Sequence, residues 1–178
     1  MIQTIRVGLL LREAVAAPYR NLVTRPTGAA VRTRIEATLA DSNCLTALLD
    51  FSEIELVDLS CADEVVAKLL LTVRTAYFVV LQGLREDHHE AIDHVLTHHR
   101  LAVAAVPPGS HAPRLLGWAP ADSREAFSWI SEKGPLDVAG LSGGLGWTLA
   151  RSREALSNLT LHRLVRPVGE LYYPLQTA

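Results

Sequence analysis

The sequence predicts an α/β protein: a sheet layered with helices, followed by a smaller α+β unit. Three short and almost wholly apolar runs, at residues 45–51, 77–81 and 101–106, are typical of strands buried on both faces of a sheet. Segments with apolar residues at helical spacing separate these runs. A Pro-Pro-Gly sequence at residues 107–109 then ends the alternation, and the pattern changes to helices.

Strands and helices alternate through the first part of the chain. We predict strands at residues 5–11, 45–51, 77–81 and 101–106, and helices at residues 27–40, 60 to about 74, and 86–99. Such alternation joins parallel strands through helical crossovers. The first unit is therefore expected to be a layered sheet, with one domain spanning residues 1–106.

The remainder of the chain has a different order of elements. Residues 107–112 are expected to be a linker, and residues 113–178 a second domain. In that domain we predict helices at residues 123–133, 138–145 and 148 to about 161, with a hairpin in residues 163–175. Asp137 and Thr148 are the expected N-caps of the second and third of these helices.

Composition restricts the class of protein and its compartment. The chain has 17 Lys and Arg against 19 Asp and Glu, which argues against a strongly basic nucleic-acid binder. Its two cysteines, Cys44 and Cys61, lack a metal-binding spacing and indicate a reducing cytoplasm. Arg12 and Glu13 interrupt the apolar N-terminal segment, so no signal peptide or membrane span is expected.

One segment carries the strongest functional signal. LLDFSEIELVDLSCADEVVAKLL, at residues 48–70, resembles the STAS domain of anti-anti-sigma factors, and more closely a STAS-like variant with a DFS and ADE signature. The resemblance covers roughly residues 28–106. It implies a STAS-like mixed sheet with helices, which has no active site of its own and acts as a docking surface for a partner protein.

The same resemblance gives Ser60 a role. Anti-anti-sigma factors carry Asp-Ser-Ser-Gly, and a partner ATPase kinase of the GHKL type phosphorylates the second serine. Asp58-Leu59-Ser60-Cys61 aligns with that motif, with Leu59 in place of the first serine and Cys61 in place of the glycine. The resemblance thus implies phosphorylation at Ser60. The implied contacts to the partner are Asp58, Leu59, Cys61, Asp63 and Glu64.

The residues themselves leave a second interpretation of Ser60 open. A serine at a helix N-terminus is commonly an N-cap that contributes about 1 kcal/mol. A phosphate there would also lie close in sequence to Asp58, Asp63 and Glu64, which would repel it. Asp50, Asp58 and Asp63 are expected to be solvated acids rather than a metal site. Ser60 is therefore either a phosphorylation site or only a helix cap.

The C-terminal segment is similar to winged helix-turn-helix domains of transcription regulators. The similarity rests on the patterns WIxxxGPLD and LxxLxxxRLVRxxGxxYY. It makes residues 148–161 the recognition helix, with Arg163 and Arg166 on the first wing strand. Residues 113–178 hold seven basic and six acidic residues, which is little positive charge for a DNA-binding unit. The implied DNA contacts are Arg151, Arg153, Asn158, Arg163 and Arg166.

A row of histidines offers a weaker signal. Glu90, His94 and His98 recur at every fourth residue and share one helix face, a spacing at which two imidazoles can hold zinc. No ligand from a second segment accompanies them, so a solvated polar face is the expected role. Cys61 is expected to be an inert thiol. We predict no catalytic residue, metal or cofactor.

These observations predict a cytoplasmic, non-enzymatic regulator of signalling or transcription. In this interpretation the STAS-like domain binds a protein partner, such as a GHKL-type kinase or an anti-sigma-like ATPase, and the winged helix binds DNA. A winged-helix protein that reads a palindrome acts as a dimer, which allows a homodimer. The alternative is an adaptor of a sigma-factor or kinase cascade that binds proteins only.

Overall fold

A five-stranded sheet organises the chain in the computed structural model, which describes residues 1–73 and 76–178. The strands, in chain order, are β1 (Ile2–Arg6), β2 (Asn21–Leu22), β3 (Thr46–Asp50), β4 (Leu56–Val57), β5 (Phe78–Gln82), β6 (Ala102–Ala105), β7 (Arg114–Gly117), β8 (Arg166–Val168) and β9 (Leu171–Tyr173). The helices are α1 (Val7–Val15), α2 (Arg25–Ala40), α3 (Leu59–Ala62), α4 (Leu69–Val73), α5 (Glu86–His98), α6 (Ala121–Lys133), α7 (Val138–Leu145) and α8 (Leu149–Leu161).

The order of the strands determines where the helices lie. The sheet runs β1-β3-β5-β6-β7, with the first four strands parallel and β7 antiparallel at the edge. Because the parallel strands follow one another in a single direction, right-handed crossovers place all the connecting helices on the same face. Leu49 and Leu81 pack against those helices, while Leu48 and Val80 belong to a core on the opposite face.

The C-terminal helices cover that opposite face. Phe127, Ile130 and Leu156 share a buried core with Leu48 and Val80 of the sheet. The molecule therefore has three layers, with the sheet between two sets of helices. β7 joins the same sheet, so the predicted linker at residues 107–112 connects two of its strands.

The C-terminal unit contains the predicted elements in the predicted order. Three helices, α6 to α8, precede the β8–β9 hairpin, and Leu136 forms a bridge with Tyr172 of β9. Both predicted caps are confirmed: Asp137 accepts a hydrogen bond from Gly140 N at 2.7 Å, and Thr148 accepts one from Arg151 N at 3.1 Å. Each cap satisfies a backbone N–H that the first helical turn leaves free.

The predicted strand at residues 5–11 is wrong in its second half. β1 ends at Arg6, and the next residues form α1, which buries Val7 and Leu11 on one face. The unbroken apolar run at residues 7–11 fits either a strand or a buried helix, and the charged residues after it decide for the helix. The short strands β2, β4 and β7 were not predicted, and the predicted helix end at about residue 74 lies outside the described residues.

A π-helical segment lies in the helix that follows the acidic loop. α3, the π segment Asp63–Lys68 and α4 follow one another without a break. Segments of this kind are rare and occur often at functional sites. Here the segment carries Asp63 at the surface and Glu64 in the interior, which brings both carboxylates into the region around Ser60.

Candidate functional site

Asp58, rather than Ser60, caps the helix that begins at Leu59. The Asp58 carboxylate accepts hydrogen bonds from Cys61 N at 2.8 Å, Ser60 Oγ at 2.8 Å and Thr24 N at 2.9 Å. Burial favours its neutral form, but these hydrogen bonds hold the pKa of Asp58 below its ordinary value. The interpretation of Ser60 as the N-cap is therefore wrong. The sequence did not distinguish the two residues, because Asp and Ser are both good caps and lie two positions apart.

The backbone at Thr24 ties α2 to this cap. Thr24 has a φ of 70°, which is rare for a β-branched residue, and its carbonyl accepts the Cys61 thiol at 3.1 Å. Gly28 in the first turns of α2 lets the two helices approach closely, since a Cβ there would lie 3.0 Å from Cys61 Sγ. These contacts hold the start of the helix that carries Ser60 against the start of α2.

Ser60 is half-buried and opens onto a surface groove. The groove has a volume of about 440 Å³ and lies between the start of the capped helix and α5. Apart from Ser60 its lining is made of one guanidinium, three imidazoles, two apolar side chains and one carboxylate. We call this the Ser60 groove, lined by Arg25, Leu59, Ser60, Asp63, His94, Val95, His98 and His99.

The acids near Ser60 are paired. Asp58 and Asp63, which were predicted to be solvated, are half-buried and bound to Ser60 and Arg25 respectively. Glu64 is buried and binds Arg25 at 2.8 Å, Arg32 at 3.2 Å and Lys68 at 2.7 Å. Burial raises its pKa, but the hydrogen bonds from Lys68 and Arg25 outweigh burial and lower the pKa overall. These carboxylates therefore repel a phosphate on Ser60 less than isolated charges would.

Asp63 joins α5 to the same network. Its carboxylate contacts Arg25 at 2.8 Å and His99 Nε2 at 2.7 Å. Burial opposes ionisation, but Arg25 and His99 together hold the pKa of Asp63 below its ordinary value. The His98 and His99 rings meet edge to face, with centroids 5.3 Å apart. His99, which contacts Asp63, lies outside the predicted Glu90, His94 and His98 spacing, and no sequence pattern predicted the role of Arg25.

Two of the five predicted partner contacts are out of reach. Cys61 and Glu64 are buried, so neither presents a surface to a partner. Leu59 is 51% exposed, and Asp58 and Asp63 are half-buried at the edge of the surface. Burial, followed by the charge of Asp58, raises the pKa of the Cys61 thiol to about 12, which keeps it protonated and matches the inert thiol expected.

The histidine helix is only partly solvated. Glu90, His94 and His98 are exposed, as predicted. His88 is an exception, since it is fully buried, accepts Arg85 N at its Nδ1 and lies 2.8 Å from the carbonyl of Glu55 through its Nε2. A backbone N–H can only donate and a carbonyl can only accept, so His88 is held as the neutral Nε2–H tautomer.

The predicted DNA contacts do not form one continuous surface. Arg151 is exposed, but both ends of its guanidinium bind Asp122 at 2.8 Å. Arg153 is exposed, and Arg166 is half-buried with its guanidinium bonded to Pro174 O. The Asn158 side-chain oxygen is buried and has no partner among the described residues.

Arg163 lies between the two units, not on a wing strand. It follows α8 with a φ of 54°, three residues before β8 begins, and its guanidinium lies 4.2 Å from the centre of the Phe78 ring. Burial lowers its pKa. Its prediction as an exposed wing residue is therefore wrong, because the turn after α8 points it at the sheet.

The C-terminal unit exposes apolar side chains near α8 and the hairpin. Leu149 is 48% exposed, and Val168 and Leu171 of the hairpin are also exposed. A groove of about 470 Å³ is lined by Leu149, Arg153, Glu170 and Tyr172 among others, while Val168 and Leu171 pair with each other on the opposite side of the hairpin. We call the groove side the α8–hairpin face, made of Leu149, Arg153, Glu170 and Tyr172.

Comparisons with known proteins gave no match for this chain. No family model, no curated protein and no solved structure matched the sequence or the fold. Within residues 1–73 and 76–178, no helix has the length and apolar character needed to cross a membrane. In the same residues, no group of three or more His, Cys, Asp or Glu is placed to hold a metal ion.

Proposed function

We propose that the chain is a non-enzymatic signalling protein of the cytoplasm that binds a partner protein at the Ser60 groove. In this proposal residues 1–106 together with β7 form a STAS-like unit, and the segment from α6 to β9 forms a winged-helix unit. Phosphorylation of Ser60 by a partner kinase changes the groove and so changes the affinity for the partner. The C-terminal unit passes the signal on.

One observation carries the proposal. The Ser60 hydroxyl is half-buried and donates to Asp58 at 2.8 Å, at the edge of a groove that is open to a partner. During phosphorylation the Ser60 oxygen would bond to the γ-phosphorus of ATP as ADP leaves. Asp58 is placed to accept the hydroxyl proton at that moment. The new phosphate adds about −1.5 to −2 charges where Asp58 had held a neutral donor.

Arg25 and the histidines give the phosphate a second effect. Arg25 is 49% exposed at its side chain and already bridges Asp63 and Glu64. A phosphate on Ser60 would compete with these carboxylates for Arg25, because Arg25 lines the same groove. The switch would therefore alter both the charge and the side-chain arrangement of the docking surface.

Affinity capture from nuclease-treated extract of the native host tests the proposal. The baits are the full chain, Ser60→Asp, Ser60→Ala and the exposed control Ser157→Asp on α8. We expect a protein that the unchanged chain, Ser60→Ala and the control retain and that Ser60→Asp binds at least tenfold less. Equal capture by all four baits would contradict the proposal.

A second variant guards against misfolding of Ser60→Asp. Leu59 is half-exposed and lines the groove, so Leu59→Ser leaves the fold intact. It removes apolar surface from the docking site and should weaken capture of the same protein. Circular dichroism of each bait checks the fold directly.

DNA is the first candidate target of the C-terminal unit. Arg151 and Arg153 lie on the exposed side of α8, the helix that a winged-helix arrangement would place in a groove of DNA. Affinity for duplex DNA should then fall steeply as salt rises, and Arg153→Ala should make the slope about one unit shallower. Arg20→Ala in the first unit is the matched control. Binding that ignores both salt and Arg153 would contradict this candidate.

Protein contact is the second candidate, and the α8–hairpin face favours it. Leu149 on α8 is exposed and apolar, and so are Val168 and Leu171 on the hairpin, where a DNA-binding wing would carry cations. Glu170 at the hairpin turn adds a negative charge that would repel phosphates. This candidate corresponds to an adaptor that binds proteins through both units.

A further inference from the structure

A further groove lies between the start of α6 and the second half of α8. It has a volume of about 480 Å³ and shares no lining residue with the Ser60 groove or the α8–hairpin face. Asn158, which was predicted to contact DNA, lines this groove instead. We call it the α6–α8 groove, lined by Pro120, Asp122, Ser123, Glu154, Asn158 and Leu161 among others.

The first turn of α6 presents unused backbone donors to this groove. The N-cap is Pro120, and no side chain caps the helix. Arg124 N donates to Pro120 O at 3.0 Å, but the N–H groups of residues 121–123 bond to no part of the chain that the structure describes. Free N–H groups at the positive end of a helix dipole favour a carboxylate or another acceptor.

Two polar side chains beside these donors are also unsatisfied. Ser123 is only 2% exposed and lines the groove, and its hydroxyl has no hydrogen-bond partner within residues 1–73 and 76–178. Asn158 lines the same groove, and its buried Oδ1 has no partner in those residues either. Because buried polar groups in folded proteins are nearly always hydrogen-bonded, this pair indicates that a polar molecule completes the site.

The charges of the groove restrict what that molecule is. Asp122 is already neutralised, since Arg151 binds both of its oxygens at 2.8 Å. Glu154 is exposed and forms no ion pair with any described residue. The α6 side thus offers free donors, and the α8 side offers a free anion. A simple anion would be repelled by Glu154, and a simple amine would leave the α6 donors unbound.

An apolar side chain completes the lining. Leu161 is 75% exposed at the end of α8, where it borders the groove. A ligand that covers Leu161 gains apolar burial in addition to its polar contacts. The groove therefore matches a small molecule with a carboxylate, an ammonium group and an aliphatic side chain.

We propose that the α6–α8 groove is a binding site for a free aliphatic α-amino acid. The carboxylate accepts hydrogen bonds from the first-turn N–H groups of α6 and from the Ser123 hydroxyl. The ammonium group pairs with Glu154, and the aliphatic side chain covers Leu161. The site lies in the C-terminal unit and does not depend on Ser60 or its partner.

Calorimetric titration of the full chain tests the site with defined probes. The probes are L-valine, L-leucine and two fragments of leucine: 4-methylpentanoate, which lacks the ammonium group, and 3-methylbutylamine, which lacks the carboxylate. We expect at least one of the two amino acids to bind with a dissociation constant of about 1 mM or tighter. Each fragment should bind at least about tenfold more weakly than leucine, because it leaves one side of the groove unpaired.

Two variants separate the two sides of the groove. Glu154→Gln should weaken amino-acid binding by at least about tenfold but leave 4-methylpentanoate binding equal or stronger, because it removes the anion that repels a carboxylate. Ser123→Ala should weaken both ligands by about three- to tenfold. Glu125→Gln, on the exposed side of α6 and outside the groove, is the control and should leave both affinities unchanged.

The result does not depend on the other proposals. Absence of saturable binding for both amino acids up to about 10 mM would overturn the site. Amino-acid binding that Glu154→Gln leaves unchanged would overturn it as well. Partner capture at Ser60 and the salt dependence of DNA binding concern other residues, so their failure would leave this inference standing.

Discussion

The Ser60 groove and the α8–hairpin face use charge in opposite ways. Next to the Ser60 groove the acids are buried or half-buried and paired, with Glu64 held by three cations and Asp58 by three hydrogen-bond donors. On the α8–hairpin face Arg153 and Glu170 are exposed and unpaired within the described residues. Charges of the first kind determine local structure, whereas charges of the second kind are available to a partner.

This contrast is the reason why we propose Ser60, rather than an exposed residue, as a switch. Ser60 lies among groups whose positions depend on a balanced set of charges, so a new phosphate must disturb several contacts together. An equivalent charge on the α8–hairpin face would be screened by water and salt, because such groups lie in solvent. The predictions below compare the two regions directly.

Neutralising Glu64 should have the largest effect on stability. Glu64→Gln removes the anion shared by Arg25, Arg32 and Lys68, and should lower the free energy of unfolding by about 2–3 kcal/mol. The cations are partly exposed and recover some hydration, which keeps the loss below that of a fully buried pair. Glu170→Gln is the matched control and should stay within about 0.5 kcal/mol in urea denaturation.

Low pH should remove the difference in stability between wild type and Glu64→Gln. The pKa of Glu64 is lowered in the folded chain, so its stabilisation is complete above its ordinary pKa of about 4.5 and is lost as pH falls through the folded value. Wild type and Glu64→Gln should therefore differ by about 2–3 kcal/mol at pH 7 and by less than about 1 kcal/mol at pH 2–3. A difference that stays constant with pH would mean that the Glu64 charge does not act in this network.

Two aspartate caps offer a direct comparison between the units. Asp58 accepts three hydrogen bonds and Asp137 accepts one, from Gly140 N. Asp58→Ala should cost about 2 kcal/mol and Asp137→Ala about 1 kcal/mol. Equal losses in thermal or urea unfolding would show that the additional donors at Asp58 add nothing.

Substitutions of exposed leucines should give the smallest changes in stability. Leu59→Ser and Leu149→Ser alter half-exposed side chains and should each change the free energy of unfolding by no more than about 0.5 kcal/mol. Their effects on binding should differ by region. Leu59→Ser should weaken capture of the protein partner, and Leu149→Ser should leave that capture unchanged. The opposite assignment would exchange the roles of the two surfaces.

The two units should unfold together. Phe127, Ile130 and Leu156 share a buried core with the sheet, and Arg163 packs on Phe78. Heating should therefore give one cooperative transition with equal calorimetric and van't Hoff enthalpies. Two separated transitions would show that residues 1–106 and 113–178 fold as independent domains.

Local signals explain which elements were predictable. Thr148 and Asp137 cap helices through bonds to residues three positions away, so their roles can be found in the sequence. The strands β3, β5 and β6 were predicted because a short apolar run is also a local signal in the sequence. β7 was not predicted, because it forms a strand by pairing with β6 and no local pattern around residue 114 indicates that pairing.

The site was predictable in position more than in detail. Ser60 was located beside a helix start, but the cap proved to be Asp58, since either side chain satisfies the local pattern. Burial of Glu64 and Cys61 depends on how α2 packs on the π segment, which no short pattern encodes. The meeting of Arg25 with Asp63 likewise joins residues that are 38 positions apart.

The most direct test is to locate phosphate on the chain. Wild type and Ser60→Ala, each at full length, are incubated with ATP and nuclease-treated extract of the native host, and modified residues are mapped by mass spectrometry. We predict one phosphoryl group on Ser60 of the wild type and no phosphoryl group on the Ser60→Ala chain. Absence of phosphate from Ser60, or equal labelling of both chains at another residue, would contradict the switch.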